Sequence, residues 1–119
     1  MEALLTAPTS DYSARMVTLE RPSKTEEADW IAKAQRSDAK AFERLYRMHV
    51  DKMYGLCLRM TGNVAEAEDC VQEAFIQAWN KLDLFRGDSA FSTWLHRIAV
   101  NSVLGRIRKA KREHERIQI

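Results

Sequence analysis

The fold is decided by residues 63–82, which read NVAEAEDCVQEAFIQAWNKL. Apolar residues recur in this stretch at steps of three and four, the period of an α-helix with one buried face. The stripe consists of Ala67, Cys70, Val71, Ala74, Phe75, Ala78, Trp79 and Leu82. Asn63 is a suitable N-cap, and Glu66 stands three residues later as its capping-box partner. The stretch therefore predicts a long amphipathic helix.

Two more helices are predicted on the N-terminal side. Ser23 and Glu26 form a capping box for a short helix that runs to about Arg36 and places Ala28, Ile31, Ala32 and Gln35 on one side. Asp38 is the N-cap of the next helix, and Gly62 suits its C′ position. The apolar positions of that second helix are Phe42, Leu45, Tyr46, His49, Met53, Leu56, Cys57 and Met60.

Residues 83–89, DLFRGDS, interrupt the helical pattern. Leu84 and Phe85 are expected to keep this loop from being wholly solvated. Asp88 or Ser89 then caps a fourth helix that runs from about Ala90 to Lys111. Three or four helices with short connections predict an all-α fold, a small helical bundle.

Length and composition agree with one such domain. The chain has 119 residues, of which only 4 are Gly and 2 are Pro, too few for a fold of strands and turns. We expect residues 1–22, which lack any period, to form a flexible N-terminal tail and residues 23–114 to form the helical domain.

Several classes of protein are disfavoured. The sequence has no apolar run of the roughly 20 residues that span a bilayer and no signal peptide, so we expect a cytoplasmic protein without membrane insertion. It has three His and no CxxC or HExxH motif, so no metal and no cofactor is expected. It also lacks a GxSxG motif or phosphate-binding loop, so an enzyme is not expected. Cys57 and Cys70 are read as buried free thiols rather than a disulfide.

Charge divides unevenly along the chain. The net charge is only +2, yet residues 86–119 hold eight basic and three acidic residues, whereas residues 25–85 hold eight basic and eleven acidic ones. This basic C-terminal part makes a polyanion a candidate partner.

The fourth helix has two distinct sides. Phe91, Leu95, Ile98 and Ser102 share the side expected to face the core. Beside them runs a second stripe of Trp94, Arg97, Asn101, Gly105 and Arg108. Arginine, asparagine and an aromatic ring are the types that contact phosphates, base edges and unpaired bases. A solvated face with Trp94 in the core explains the same pattern, and both interpretations stay open.

The end of this helix and its glycine add two observations. Five of the seven residues from Arg106 to Arg112 are basic, which suits phosphates but confers no sequence specificity. Gly105 lies in mid-helix, where it costs about 1 kcal/mol relative to alanine. Close approach of another backbone or a tolerated neutral change would each account for it.

Three segments, taken in order, resemble one family. DAKAFERLY at 38–46, GNVAEAEDCVQEAFIQAW at 62–79 and FRGDSAFSTWLHRIAVN at 85–101 are similar to successive parts of region 2 of bacterial sigma factors of the extracytoplasmic function (ECF) group. The resemblance covers roughly residues 25–112. It implies a domain that binds core RNA polymerase and that recognises and melts the −10 promoter element.

The resemblance also implies roles for particular residues. Asp69, Gln72, Glu73 and Ile76 are expected to dock on the clamp helices of the largest polymerase subunit. Phe85, Arg86, Gly87 and Ser89 are expected to hold a flipped base of the non-template strand, although Phe85 could simply anchor the loop. Trp94, Arg97 and Asn101 are expected at the upstream edge of the melted DNA, with Arg106, Arg108 and Lys109 on phosphates.

Some features depart from the family pattern. Housekeeping relatives have two adjacent Trp where this chain has Trp94-Leu95, and many members have Asp at the position of Gly105. Members normally continue through a linker into region 4, so residues 115–119 are expected to begin that linker. The family also implies an anti-sigma factor as partner. The alternative function is a helical interaction domain held by such an inhibitor, or standing alone, with no DNA role of its own.

Overall fold

Four α-helices make up the bundle in a computed structural model that describes residues 22–117. They are α1 (Lys24–Gln35), α2 (Ala39–Thr61), α3 (Val64–Asn80) and α4 (Phe91–Ile117), with a short 3₁₀ turn (Leu82–Leu84) between α3 and α4. Residues 22–117 contain no strand, and the predicted all-α bundle is confirmed. The tail predicted at 1–22 lies, except for Pro22, outside the described residues.

The first two helix starts have the predicted caps. The Ser23 Oγ accepts the backbone N–H of Glu26 at 3.1 Å, and the Glu26 carboxylate accepts the N–H of Ser23 at 3.0 Å. Asp38 accepts the N–H groups of Lys40 and Ala41 through one carboxylate oxygen. These bonds satisfy backbone donors that have no partner inside the first turn of a helix.

The junction of α2 and α3 differs in one detail from the prediction. Gly62 takes the left-handed conformation, with φ of 68°, and Asn63 caps α3 by accepting the N–H of Glu66 at 2.9 Å. Glu66 was also expected to accept the N–H of Asn63. That N–H instead donates to the Thr61 Oγ at 3.3 Å, because the hydroxyl at the end of α2 lies beside it.

The start and end of α4 also differ from the prediction. Neither Asp88 nor Ser89 occupies the cap position, because the Ala90 carbonyl accepts the first helical bonds, from Thr93 at 3.0 Å and Trp94 at 3.1 Å. The helix continues beyond Lys111 to Ile117, and residues 106–119 contain no Gly or Pro to end it. All residues from 106 to 117 are exposed.

The core is centred on α2, which packs against the other three helices. The buried apolar residues are Ala34, Ala41, Leu45, Met53, Cys57, Ala67, Cys70, Val71, Ala74, Phe75, Ala78, Leu82, Phe91, Leu95, Ile98, Ala99 and Val103. Two expectations were wrong. Tyr46 is 40% exposed, and Leu84 is 64% exposed, whereas Leu82 in the same 3₁₀ turn is buried as predicted.

Both cysteines are buried free thiols, as predicted. Burial raises the pKa of the Cys57 thiol and of the Cys70 thiol above the ordinary value of 9.0. The two thiols therefore remain protonated at neutral pH, and the protonated form is the unreactive one.

Alanine at two glycines should change stability in opposite directions. An added Cβ meets no atom within 4 Å at either Gly62 or Gly105, so crowding is not a factor. Gly62→Ala should destabilise the fold by about 1 kcal/mol, because its positive φ disfavours a Cβ. Gly105→Ala should stabilise it by about 0.5–1 kcal/mol, because alanine is the better helix former. Urea unfolding of both variants measures the change in the free energy of unfolding. A change of the same sign in both variants would contradict the prediction.

Thiol alkylation should report the burial of Cys57 and Cys70. At pH 8 the folded chain should react with iodoacetamide about tenfold or more slowly than the chain in guanidinium chloride, since the thiolate is the nucleophile. Raising the pH from 8 to 10 should increase the rate of the folded chain by a larger factor than that of the unfolded chain, because the unfolded thiols are already largely thiolate near pH 9 whereas the folded pKa values lie higher. Mass spectrometry counts the labels, and equal rates in the two states would contradict the prediction.

Candidate nucleic-acid and protein interfaces

The two sides of α4 lie where the sequence places them. Phe91, Leu95, Ile98 and Ser102 are buried, which confirms the core side. In the second stripe, Arg97, Asn101 and Arg108 are exposed, whereas Trp94 and Gly105 are half-buried. An amide and two guanidinium groups therefore line one outer face of the bundle. Within residues 22–117, no backbone approaches Gly105 closely enough to explain its missing side chain.

Three aromatic rings join the loop 83–89 to this face. The ring of Phe85 lies 5.5 Å from that of Phe91 and 5.2 Å from that of Trp94, and the last two rings are 5.6 Å apart. Aromatic pairs at such distances stabilise each other beyond the area they bury. Phe85 thus anchors the loop, and Trp94 is partly engaged in the core while one part of its ring faces solvent.

The predicted base-binding residues of the loop lie next to that cluster. Arg86 and Gly87 are exposed and Ser89 is half-buried. Gly87 has φ of 81°, a conformation that side chains disfavour, so the chain turns sharply beside Arg86.

Gln35, at the end of α1, holds the start of the loop. Its Nε2 donates to the carbonyl of Leu82 at 3.0 Å and to that of Phe85 at 2.9 Å. The helical period places Gln35 on one side of α1 but does not indicate these hydrogen bonds. No local pattern could have indicated it, because both acceptors are main-chain oxygens far along the chain.

The predicted polymerase-binding residues share the outer side of α3. Asp69, Gln72 and Ile76 are exposed and Glu73 is half-buried. Ile76 is 59% exposed, although a solvated helix face would favour a polar residue at its position. Together the four side chains form an acidic face with one apolar residue.

An ion pair connects the two predicted interfaces. The Arg106 Nε lies 3.4 Å from a carboxylate oxygen of Glu73, and the other oxygen accepts the amide of Gln77 at 3.4 Å. Arg106 was predicted to contact phosphates and Glu73 to contact polymerase. An exposed pair of this kind is worth about 0–1 kcal/mol, so either partner can be exchanged for an external one.

A groove of about 880 Å³ lies beside this ion pair, between α3 and α4. Its lining includes Glu73, Gln77, Asn101, Ser102 and Arg106. The Ser102 hydroxyl is buried and finds no hydrogen-bond partner among residues 22–117. The groove therefore lies between residues predicted for both partners.

The basic end of α4 extends beyond this groove. Arg106, Arg108 and Lys109 all lie on the exposed turns that follow Gly105. Their charges are accessible from outside the bundle. Among residues 22–117 no group of three or more metal-ligating side chains comes together, and no described helix is long and apolar enough to cross a bilayer.

Comparison with known proteins shows the family to which the chain belongs. The family model "Sigma-70 region 2" matches residues 45–113. The chain belongs to that family. Its relatives there are ECF sigma factors, in agreement with the resemblance of the three sequence segments.

Two of those relatives and one solved structure show the extent of the similarity. The chain is 48% identical to the ECF RNA polymerase sigma factor SigW of Bacillus subtilis, over 71% of this chain and 45% of that protein. It is 47% identical to the ECF RNA polymerase sigma-E factor of Escherichia coli K12, over 60% of this chain and 37% of that protein. The chain thus spans less than half the length of these curated relatives.

The solved structure is the NMR structure of an engineered region 2 of sigmaE in complex with GTAAAA. It superposes with a TM-score of 0.68 and 34% identity, over 76% of this chain and 96% of that one. The predicted fold and family are therefore confirmed.

Proposed function

We propose that this domain binds core RNA polymerase and captures the unpaired non-template strand of a −10 promoter element. The observation that carries the proposal is the aromatic cluster of Phe85, Phe91 and Trp94. It makes the loop 83–89 and the exposed stripe of α4 one continuous surface. A single strand of DNA can lie along such a surface while one base enters the loop.

Different residues of the proposed DNA-binding surface make different contacts. Arg86, Gly87 and Ser89 supply a flexible cation, an accessible backbone and a hydroxyl for a base taken out of the stack. Asn101 offers an amide that can bond a base edge in two places, whereas Arg97 supplies charge. The exposed cations Arg106, Arg108 and Lys109 attract phosphates and add affinity without specificity.

The polymerase-binding surface is the outer side of α3. Asp69, Gln72 and Glu73 suit a basic partner by charge and hydrogen bonding, and such complementarity favours a correct encounter. Ile76 adds an exposed apolar contact on the same side. The proposed partner is the pair of clamp helices in the largest polymerase subunit.

The mechanism is binding rather than bond chemistry. Polymerase holds the acidic side of α3, and the loop with α4 traps the strand as the duplex opens, so that captured bases favour the melted state. When polymerase or phosphate engages Glu73 or Arg106, their mutual ion pair is replaced by an external one. The domain works in the cytoplasm, where polymerase and promoter meet, and performs no catalysis.

An anti-sigma factor is proposed as the inhibitory partner. The groove between α3 and α4 favours this, because its lining contains Glu73 from the polymerase surface together with Asn101 and Arg106 from the DNA surface. A protein segment seated there would cover parts of both surfaces at once. The domain would then be held in an off state.

Replacing Asn101 should weaken base recognition. A pool of single-stranded DNA with six randomised positions, containing GTAAAA among its members, is incubated with the chain, and the bound fraction is sequenced. The wild-type chain should enrich a defined motif. Asn101→Ala should reduce enrichment of the preferred base at one position about tenfold, since a bidentate amide contact is worth ~1–3 kcal/mol.

Asn80→Ala is the matched control for this experiment, because Asn80 is also exposed but ends α3, outside the stripe. It should enrich the wild-type motif. Enrichment by Asn101→Ala equal to that of the wild type would refute the role of Asn101. A wild-type chain that enriches nothing would refute base capture altogether.

Charge at Ile76 should weaken polymerase binding. Ile76→Asp should raise the dissociation constant for core RNA polymerase about tenfold or more, because it replaces the apolar contact of this surface with a carboxylate that polymerase binding would desolvate. Fluorescence anisotropy with labelled chain measures the constant.

Val64→Asp is the control, because Val64 is similarly exposed, at 56%, but its side chain points roughly 120° away from that of Ile76 on the same helix. It should bind polymerase as the wild type does. Equal affinity of the two variants would place the polymerase surface elsewhere.

A further inference from the structure

The side chain of Gln35 makes an unusual connection between the first helix and the loop. It is the last residue of α1, and its Nε2 donates at once to the carbonyls of Leu82 and Phe85. An amide NH₂ group has two hydrogens, so both of its donors are engaged. One side chain thus holds both ends of the turn that opens the loop.

The turn would be less well defined without this amide. Its own closing bond runs from the N–H of Phe85 to the carbonyl of Leu82, at 3.0 Å. That bond leaves the carbonyl of Phe85 to find another partner, and Gln35 supplies it at 2.9 Å. The buried side chain of Leu82 fixes the position of the turn, and Gln35 fixes its orientation.

Phe85 is consequently held from two sides. Its ring packs on Phe91 and Trp94 of α4, and its main chain is bonded to Gln35 of α1. The exposed residues Arg86 and Gly87 begin directly after this fixed point. Their direction into solvent is therefore determined by an atom of α1, a helix that contributes none of the predicted DNA contacts.

We infer that Gln35 is a positioning residue that sets the base preference of the loop 83–89. This inference rests on the proposed capture of a base by that loop. A pocket discriminates between bases only when its groups are held in place before binding, because a mobile loop adapts to several bases. Gln35 touches no base itself and acts through the carbonyl of Phe85.

The test compares Gln35→Leu with Gln35→Lys in the full chain. Leucine has a similar size and cannot donate a hydrogen bond, whereas the lysine ammonium donates and reaches the same carbonyls. The probes are the hexamer that the wild-type chain enriches and its variants with one base changed at each position. The readout is the ratio of dissociation constants between preferred and changed base, which a uniform change in affinity does not alter.

Gln35→Leu should reduce this ratio roughly 5- to 20-fold at one position, about what two neutral hydrogen bonds are worth, and leave it unchanged at the others. Gln35→Lys should restore most of it. Binding to core polymerase should stay within about twofold of the wild type in both variants, because Gln35 lies away from the outer side of α3.

Gln77→Leu provides the matched control, since the amide of Gln77 bonds Glu73 within its own helix. It should keep the wild-type ratio at every position. If the ratio also fell in Gln77→Leu, the removal of any side-chain amide would have this effect. That result would overturn the inference.

Two other outcomes separate the inference from the proposed function. A wild-type chain that discriminates between bases, together with a Gln35→Leu variant that discriminates equally, overturns the inference alone. A wild-type chain that discriminates at no position overturns base capture and the role of Gln35 with it. If the ratio of dissociation constants falls equally in Gln35→Leu and Gln35→Lys, the claim that position 35 needs a hydrogen-bond donor is overturned.

Discussion

The structure depends on the burial of one face of α2. Ala41, Leu45, His49, Met53 and Cys57 recur at steps of four along that face and are all buried. The other three helices all pack against α2, and α3 and α4 also pack against each other. Burial of a single large aliphatic side chain contributes roughly 1.5–3 kcal/mol, a large share of the marginal stability of a domain of this size.

The polar member of that face links three helices. The His49 Nε2 lies 2.8 Å from a carboxylate oxygen of Glu27 on α1, and its ring lies 5.3 Å from that of Phe91 on α4. Phe91 in turn contacts Phe85 and Trp94. The same contacts that hold α1 and α4 against α2 thus reach the loop and the exposed stripe, so the core holds the proposed DNA-binding surface in place.

Sequence patterns were a reliable guide to the helices and to three of their four N-caps. The caps at Ser23, Asp38 and Asn63 follow from hydrogen bonds between near neighbours, and the buried stripes follow from the helical period. The prediction was wrong for Leu84, which lies in the short segment between α3 and α4. In the turn after α3, Leu82 enters the core as the helical period predicts, whereas Leu84, two residues further on in the 3₁₀ turn, faces solvent.

The sequence by itself determined the helices, the core stripes and the family, because these depend on the period and on short motifs. It also determined that cations gather towards the C-terminus. Only the tertiary structure decided that Gln35 meets the carbonyls of Leu82 and Phe85, and that Arg106 pairs with Glu73. Both contacts join residues far apart in the chain. The packing of whole helices sets the distances between these residues, and no local sequence pattern indicates that packing.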